Sequence, residues 1–382
     1  MNLPKSGGHV TKKSLLKLAS LIAVSSLWLA ACAQAPTAPS SSNDSAPASS
    51  ATGGQTAASS GNFKACMVSD FGGFDDKSFN ETSYKGLLQA KEQLGIETAQ
   101  IESKQESEYA RNVQSMIDAR CGVIVTVGFA LANATEAAAK QNPDTKFAIV
   151  DNNSFDGVSN AKGLIFNTAE PAFMAGYVAA SLTQTGKVGT FGGANYPTVS
   201  IFMDGFAQGV EYYNQAKGKS VQVLGWDRSS KDGQFIGGND PFGDQTGGKN
   251  TANTLIAQGA DIILPVAGPA GLGALAAVKE SNGKVNAIWV DTDGYVSAPE
   301  YKDVIITSIE KGMDVAVLEI IKAAKDGTFS ADPYVGDLKN KGVDLAEFHD
   351  FDSKVSSETK SELDQIRADI VSGKIVVDTP VK

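Results

Sequence analysis

Val68-Ser-Asp-Phe-Gly-Gly-Phe-Asp-Asp-Lys-Ser-Phe-Asn80 decides how this chain is read. The apolar run from Phe63 to Val68 is a strand that gives out at Asp70. Gly72 and Gly73 let the backbone turn tightly through positive φ. Ser78 or Asn80 can cap a helix starting near Glu81, whose stripe includes Tyr84, Leu87 and Leu88. Asp75, Asp76 and Lys77 read as turn-forming or solvated. Carboxylate, amide and aromatic side chains thus gather at the carboxyl end of a strand, where open α/β sheets bind ligands.

From Asn62 onward, strands and helices alternate. Strands Lys64–Ser69, Glu97–Ile101, Val123–Val127, Phe147–Val150 and Gly163–Phe166 are interleaved with helices over 81–94, 107–119 and 132–141. A second series begins with the helix Ala169–Leu182. It continues through strands Lys187–Phe191, Val221–Gly225, Asp261–Pro265 and Ala287–Asp291, with helices over 199–213, 248–258 and 271–281. Then come Val304–Ser308, a helix over 312–325, a strand pair around Val335 and Val343, and a last helix holding Leu363, Ile366 and Ile370. The strands are short, continuous apolar runs, as expected where helices cover both faces of a parallel sheet. The fold class is therefore α/β, in two Rossmann-like lobes with a cleft between them.

The amino end belongs to neither lobe. Lys5, Lys12, Lys13 and Lys17 precede a 14-residue apolar stretch, Leu18–Ala31, too short to span a bilayer comfortably, so residues 1–31 read as a signal peptide. Leu29-Ala30-Ala31-Cys32 looks like a bacterial lipobox, in which the Cys32 thiol takes diacylglycerol. An ordinary secretory signal before an unmodified cysteine is the alternative. Residues 33–61 hold 25 Ala, Ser, Pro, Thr or Gly among 29 positions, so 32–61 reads as a lipidated cysteine and a flexible tether. Such a protein would sit on the outer face of the bacterial plasma membrane, touching lipid only through Cys32. Without the signal the chain carries 29 basic and 43 acidic residues, a net charge near −14, which argues against nucleic acid as a partner.

The run Asp70, Gly72, Gly73, Asp75, Asp76, Lys77, Ser78, Phe79, Asn80 resembles the opening motif of the basic membrane protein family, the purine-nucleoside-binding lipoproteins of bacterial ABC importers. The resemblance extends through Phe166-Asn-Thr-Ala-Glu170 and Gly186-Lys-Val-Gly189 over nearly all of the chain after the tether, and is weakest over 226–240 and the last sixty residues. It implies a type I periplasmic-binding-protein fold, whose chain crosses between lobes three times. We expect crossings near 167, 291 and 326, giving one lobe from 62–167 plus 292–325 and another from 168–291 plus 326–382. It also implies no catalysis and no cofactor. The partners would be a nucleoside, an ABC permease with its ATPase, and no second copy of the chain. Cys66 and Cys121 are an even pair in a compartment that permits disulfides. In a sheet ordered 2-1-3 their strands are neighbours, so they form a disulfide or remain two buried thiols.

A nucleoside needs aromatic faces for its base and polar partners for its base edge and ribose hydroxyls. Phe79 matches the family aromatic on one face of the base. Pro241-Phe242-Gly243-Asp244 resembles the segment supplying the other face, with Phe242 preferred over Phe235. Asp70 ends its strand towards the cleft, Asn80 either reads a base edge or caps its helix, and Asp151 is a second strand-end carboxylate. Gly128-Phe129 walls the pocket or packs in the core. On the ribose side, Gly268 lies in the glycine-rich turn Ala267–Gly273. Asp291 and Lys311 match the family carboxylate and lysine, with Asp293 as the substitute carboxylate.

Three other readings compete. Gly268, Gly271 and Gly273 with Asp291 mimic a dinucleotide fingerprint, but in the order G-x-x-G-x-G and late in the chain. A metal-dependent hydrolase would need Asp70, Asp75 and Asp76 to converge, yet the only histidine after the signal is the distant His349. A sugar- or autoinducer-binding lipoprotein would share both fold and anchor, and differs in not needing the pair of phenylalanines.

Overall fold

The computed structural model describes residues 63–379; the signal, Cys32 and the tether lie outside the described residues. The chain starts with β1 (Lys64–Ser69), α1 (Phe79–Leu94), β2 (Glu97–Glu102), α2 (Tyr109–Asp118), β3 (Val123–Val127), α3 (Ala132–Gln141), β4 (Lys146–Val150) and β5 (Ala161–Phe166). It crosses through α4 (Ala169–Leu182) to β6 (Lys187–Gly192), α5 (Pro197–Lys217) and β7 (Gln222–Leu224). A small hairpin follows, β8 (Trp226–Asp227) with β9 (Asp232–Gly233). Next are α6 (Gln245–Ala257), β10 (Ile262–Val266), α7 (Ala270–Glu280), β11 (Asn286–Asp291), α8 (Gly294–Ser297) and β12 (Ile305–Lys311). The chain returns with α9 (Met313–Lys325) and β13 (Tyr334–Gly336), then ends with β14 (Val343–Leu345) and α10 (Ser357–Val371).

Two six-stranded sheets result, ordered β13-β5-β4-β3-β1-β2 and β14-β12-β11-β10-β6-β7. The first is parallel throughout; in the second only β14 runs antiparallel. β1, β3 and β10 are buried at almost every position, which is why they read as unbroken apolar runs. No described helix is long and apolar enough to cross a membrane.

Two of the three lobe boundaries differ from expectation. β12 bonds to β11 in the second sheet, so the crossing expected near 291 lies at Gly312, between β12 and α9. β13 bonds to β5 in the first sheet, so the crossing expected near 326 lies after Gly336. The anticipated strand pair around Val335 and Val343 is consequently split, one strand completing each lobe. A strand's own sequence carries no sign of which sheet it joins, since pairing is decided by tertiary geometry; this holds for the interior strand β12 as for the short edge strand β13.

β1 and β3 are adjacent, and Cys66 and Cys121 are disulfide-bonded with a Cα–Cα distance of 5.9 Å. The bond ties β1 to the turn that enters β3 and closes a separation of 55 residues.

The quoted stretch folds as a turn feeding α1. Gly72 and Gly73 have φ of 96° and 70°, the left-handed region that glycine adopts without strain. The helix begins two residues earlier than expected; Ser78 holds the N-cap position, but its side chain makes no capping bond, and Asn80 lies within the helix. Asp76 is buried and accepts from the backbone N–H groups of Ser78 (3.0 Å), Asn80 (2.8 Å) and Glu81 (2.9 Å). Asp76 therefore satisfies the donors that the first helical turn leaves open. Asp75, by contrast, is exposed and pairs with Lys77, so it stays at the surface.

Two stability predictions follow from these ties. Asp76→Ala should cost about 1–2 kcal/mol in urea unfolding, and an unchanged midpoint would mean the cap is idle. The double variant Cys66→Ala/Cys121→Ala should cost ~2–4 kcal/mol; a midpoint equal to that of the parent under oxidising conditions would contradict the cross-link.

Candidate functional site

Between the lobes lies a cavity of about 550 Å³, its open mouth included. Asp70, Phe79, Asn80 and Asp151 line it from the first lobe; Phe242, Gly268, Asp291 and Lys311 line it from the second. The structure thus brings all eight candidate residues to one place. The two glycine-hinged ends that face each other are the β1–α1 turn and the β10–α7 turn.

The lobes touch through the quoted stretch. Trp289 Nε1 donates to the Lys77 carbonyl at 3.2 Å. Ser78 Oγ lies 3.0 Å from Asp291 Oδ2 and 3.2 Å from the Val290 carbonyl, sharing its one proton between them. Gly72 sits against Pro269. A residue expected to be a helix cap is therefore a latch across the cleft.

Phe79 is the first residue of α1 and is half-buried. Phe242 is fixed from its backbone, its carbonyl accepting from Ala270 N at 2.7 Å. Its ring lies over Gly193, where any Cβ would collide with it. Phe235 instead packs edge-on against Trp226 at 6.5 Å, away from the cavity. Tyr196 joins Phe242 (6.0 Å) to Phe129 (5.2 Å), so the aromatic wall runs across the cleft. Phe129 thus takes the pocket-wall role rather than the core one.

The polar groups are mostly acceptors. Asn80 donates its amide to Asp70 Oδ1 (3.1 Å) and to the Phe71 carbonyl (2.9 Å), while its own Oδ1 is buried without a partner. Asp70 reaches the space beside Gly128, whose φ is 116°; a side chain there would strike the Asp70 carboxylate. Lys311 Nζ is 2.7 Å from Asp151 Oδ2 and 3.5 Å from Asp291 Oδ1, and is itself almost wholly buried. Asp291 Oδ1 accepts no hydrogen bond. The Lys311 ammonium also lies 4.9 Å from the centre of the Phe79 ring and 5.3 Å from that of Phe202, within cation–π range. Lys311 ends a strand that runs three residues further than the sequence suggested, which is what carries its side chain inward.

Four carboxylates thus share the cavity with one ammonium. Burial pushes the Asp70 carboxyl well above the ordinary range; the Asn80 bond pulls it back, and Asp76 and Asp151 raise it further. Burial likewise raises Asp151, against the pull of Lys311. Asp76 is pushed up to about 6 by burial, despite its backbone donors. For Lys311 burial acts downward, but Asp151 and Asp291 outweigh it and hold the amine above its usual value. Such a site accepts hydrogen bonds readily, donates few, and repels anions.

Asp151 and Asp291 end β4 and β11 with φ of 70° and 72°. Left-handed backbone is uncommon outside glycine, and here it turns both carboxylates toward the same lysine. Asp75 is exposed and does not join Asp70 and Asp76 at the cavity, so the three-carboxylate set of a metal-binding hydrolase does not form. Gly271 and Gly273 pack closely on Trp289 and the Gln245 carbonyl, so two glycines of the dinucleotide mimic serve helix packing. His349 bonds to Asp293 at 2.7 Å, which leaves Asp291 as the cavity carboxylate.

Sequence reasoning missed Tyr196, Thr198, Val199 and Phe202, which the β6–α5 connection places in the wall. The signal was available: Gly192-Gly193 follows a strand, and Pro197 is a favoured first residue of a helix.

Residues 63–379 match the family described as ABC transporter substrate-binding protein PnrA-like. Basic membrane protein A of Borreliella burgdorferi is 33% identical over 320 residues, 82% of this chain and 87% of that one. The ABC transporter nucleoside-binding protein BmpA of Lactococcus lactis subsp. cremoris is 32% identical over 331 residues, covering 82% and 88%. A crystal structure of an ABC transporter solute-binding protein from Aeropyrum pernix superposes with a TM-score of 0.74 at 26% identity, covering 83% of this chain and 94% of that one. The chain belongs to the PnrA-like family of ABC transporter substrate-binding proteins, which are binding components and not enzymes.

Proposed function

We propose that this protein captures nucleosides, purine ones foremost, and delivers them to an ABC permease and its ATPase. The observation that carries the reading is the pairing of Phe79 and Phe242 from opposite lobes with a donor-poor, carboxylate-rich polar wall. A flat base fits between the rings, its N–H groups meeting Asp70 and Asn80 Oδ1, while ribose hydroxyls donate to Asp151 and Asp291 and accept from Lys311. A ligand rich in donors and free of negative charge suits this wall; a phosphate does not. The name of the Lactococcus relative, a nucleoside-binding protein, supports the same class. A hexose would satisfy the carboxylates but would leave the aromatic wall, which runs through Phe129 and Tyr196, without a planar partner.

The remainder of the reading rests on the amino-terminal sequence. Lipidation at Cys32 would hold a monomer at the outer face of the plasma membrane, the tether giving the lobes reach to the permease.

Native mass spectrometry of the freshly purified protein with a nucleoside and hexose panel tests the class: a nucleoside adduct supports it, and hexose adducts alone sink it. Phe79→Ala and Phe242→Ala should each weaken nucleoside binding by roughly thirtyfold or more with the melting temperature nearly kept; affinities within twofold of the parent would contradict the clamp.

pH should act on stability and affinity with opposite sign. Asp76, at about 6, binds a proton more tightly folded than unfolded, so its share of stability is lost as pH rises through that value. The free protein should therefore gain melting temperature between neutral pH and pH ~5. Ligand donors need ionised Asp70 and Asp151, whose pKa values burial raises, so affinity should fall as pH is lowered. Calorimetric affinities that hold steady or improve on acidification would show that these carboxylates do not accept from the ligand.

A further inference from the structure

A second groove, about 970 Å³ with its solvent-open part included, adjoins the main cavity at its Asp151–Lys311 end. The two share Phe129, Asp151, Thr198 and Lys311, so the ion pair Asp151–Lys311 is a common wall rather than a floor. Beyond it the groove is apolar inside, lined by Ile165, Phe166 and Ile201, and open at a lip made by Asn153, Ser154 and Pro197. Asp151 and Lys311 are its only charged groups, and they are paired at 2.7 Å. Among the described residues nothing bonds the Asn153 amide or the Thr198 hydroxyl, whereas Asn152 is spent on the backbone and hydroxyl of Ser154.

Continuity with the cavity decides what this groove can receive. If Asp291 and Lys311 hold the 2′ and 3′ hydroxyls, and the base lies between Phe79 and Phe242, the position left to face the groove is the 5′ carbon of the sugar. A phosphate there would meet Asp151 with the sole cation already neutralised, and the neutral Asn153 amide and Thr198 hydroxyl bring no charge to offset that repulsion. An uncharged, partly apolar group would instead lie along Ile165 and Ile201 and displace water from them.

We propose that the groove is a subsite for an uncharged 5′ substituent, so that the ligand class includes 5′-modified nucleosides such as alkylthio derivatives. The inference rests on the nucleoside reading above. It makes the groove a specificity element: it admits thioether and alkyl groups at the 5′ position and turns away nucleotides.

Calorimetric titration of the full chain tests it. The nucleoside that binds tightest among adenosine, guanosine and inosine is compared with its 5′-deoxy-5′-methylthio analogue. The parent protein should bind the two within about tenfold of each other. Asn153→Trp, on the exposed lip outside the main cavity, should weaken the analogue about tenfold or more while leaving the plain nucleoside within about twofold. Ser154→Trp on the same lip repeats the test should the first variant melt abnormally. An analogue bound roughly a hundredfold more weakly than its parent nucleoside overturns the subsite. So does a lip variant that changes both ligands equally or neither. If no nucleoside binds at all, the functional reading falls and the subsite falls with it.

Discussion

Lys311 is the interaction on which the rest of the site depends. Its ammonium reaches from the second lobe to Asp151 of the first, with Asp291 beside it, all three side chains nearly out of solvent. Removing such groups from water costs several kcal/mol per ion unless each is well partnered. The lysine answers Asp151 but answers Asp291 only at 3.5 Å, and it leaves Asp70 to the Asn80 amide. The cleft therefore carries more acceptors than it can satisfy from within. A bound molecule offering N–H and O–H donors relieves that imbalance, and it does so only when both lobes contribute. On the proposed function, ligand binding would favour lobe closure, because the ligand would gain most from the arrangement in which both strand ends reach it.

Geometry at the strand ends makes this possible. β4 and β11 occupy equivalent places in their sheets, next to β3 and β10, and each ends in an aspartate with left-handed backbone. Both carboxylates turn toward the gap between the lobes, and β12 runs just far enough to place Lys311 between them. Local backbone strain at two non-glycine residues is retained where it orients charge. The β1–α1 turn adds the latch: with Asp76 consumed in capping α1, Ser78 is free to reach Asp291 and Trp289 to hold the Lys77 carbonyl.

Much of this was legible in the chain, and for identifiable reasons. Strand-end positions follow from apolar runs that stop at a polar residue, so Asp70, Asp151 and Asp291 could be placed before any fold was known. Phe79 and Phe242 were placed by resemblance, and the choice against Phe235 is now explained by its packing on Trp226. Asp76 was misjudged because a turn aspartate and a capping aspartate look alike until the helix start is fixed to within a residue. The lobe boundaries near 291 and 326 differ because β12 and β13 are assigned by pairing, which a strand's own sequence does not announce. Tyr196 and Phe202 are uncharged and lie beyond a strand end that carries no carboxylate, so only Gly192-Gly193 marked their connection as one facing the cleft.

On the proposed function, a planar, donor-rich ligand is held by aromatic faces from two lobes and by carboxylates whose oxygens are not all satisfied from within. A crystal structure of the protein with a purine nucleoside tests that most directly. The base should lie between the Phe79 and Phe242 rings, with sugar hydroxyls in hydrogen-bond reach of Asp291 and Lys311. A ligand bound outside the cleft, or one whose ring touches neither phenylalanine, would contradict it.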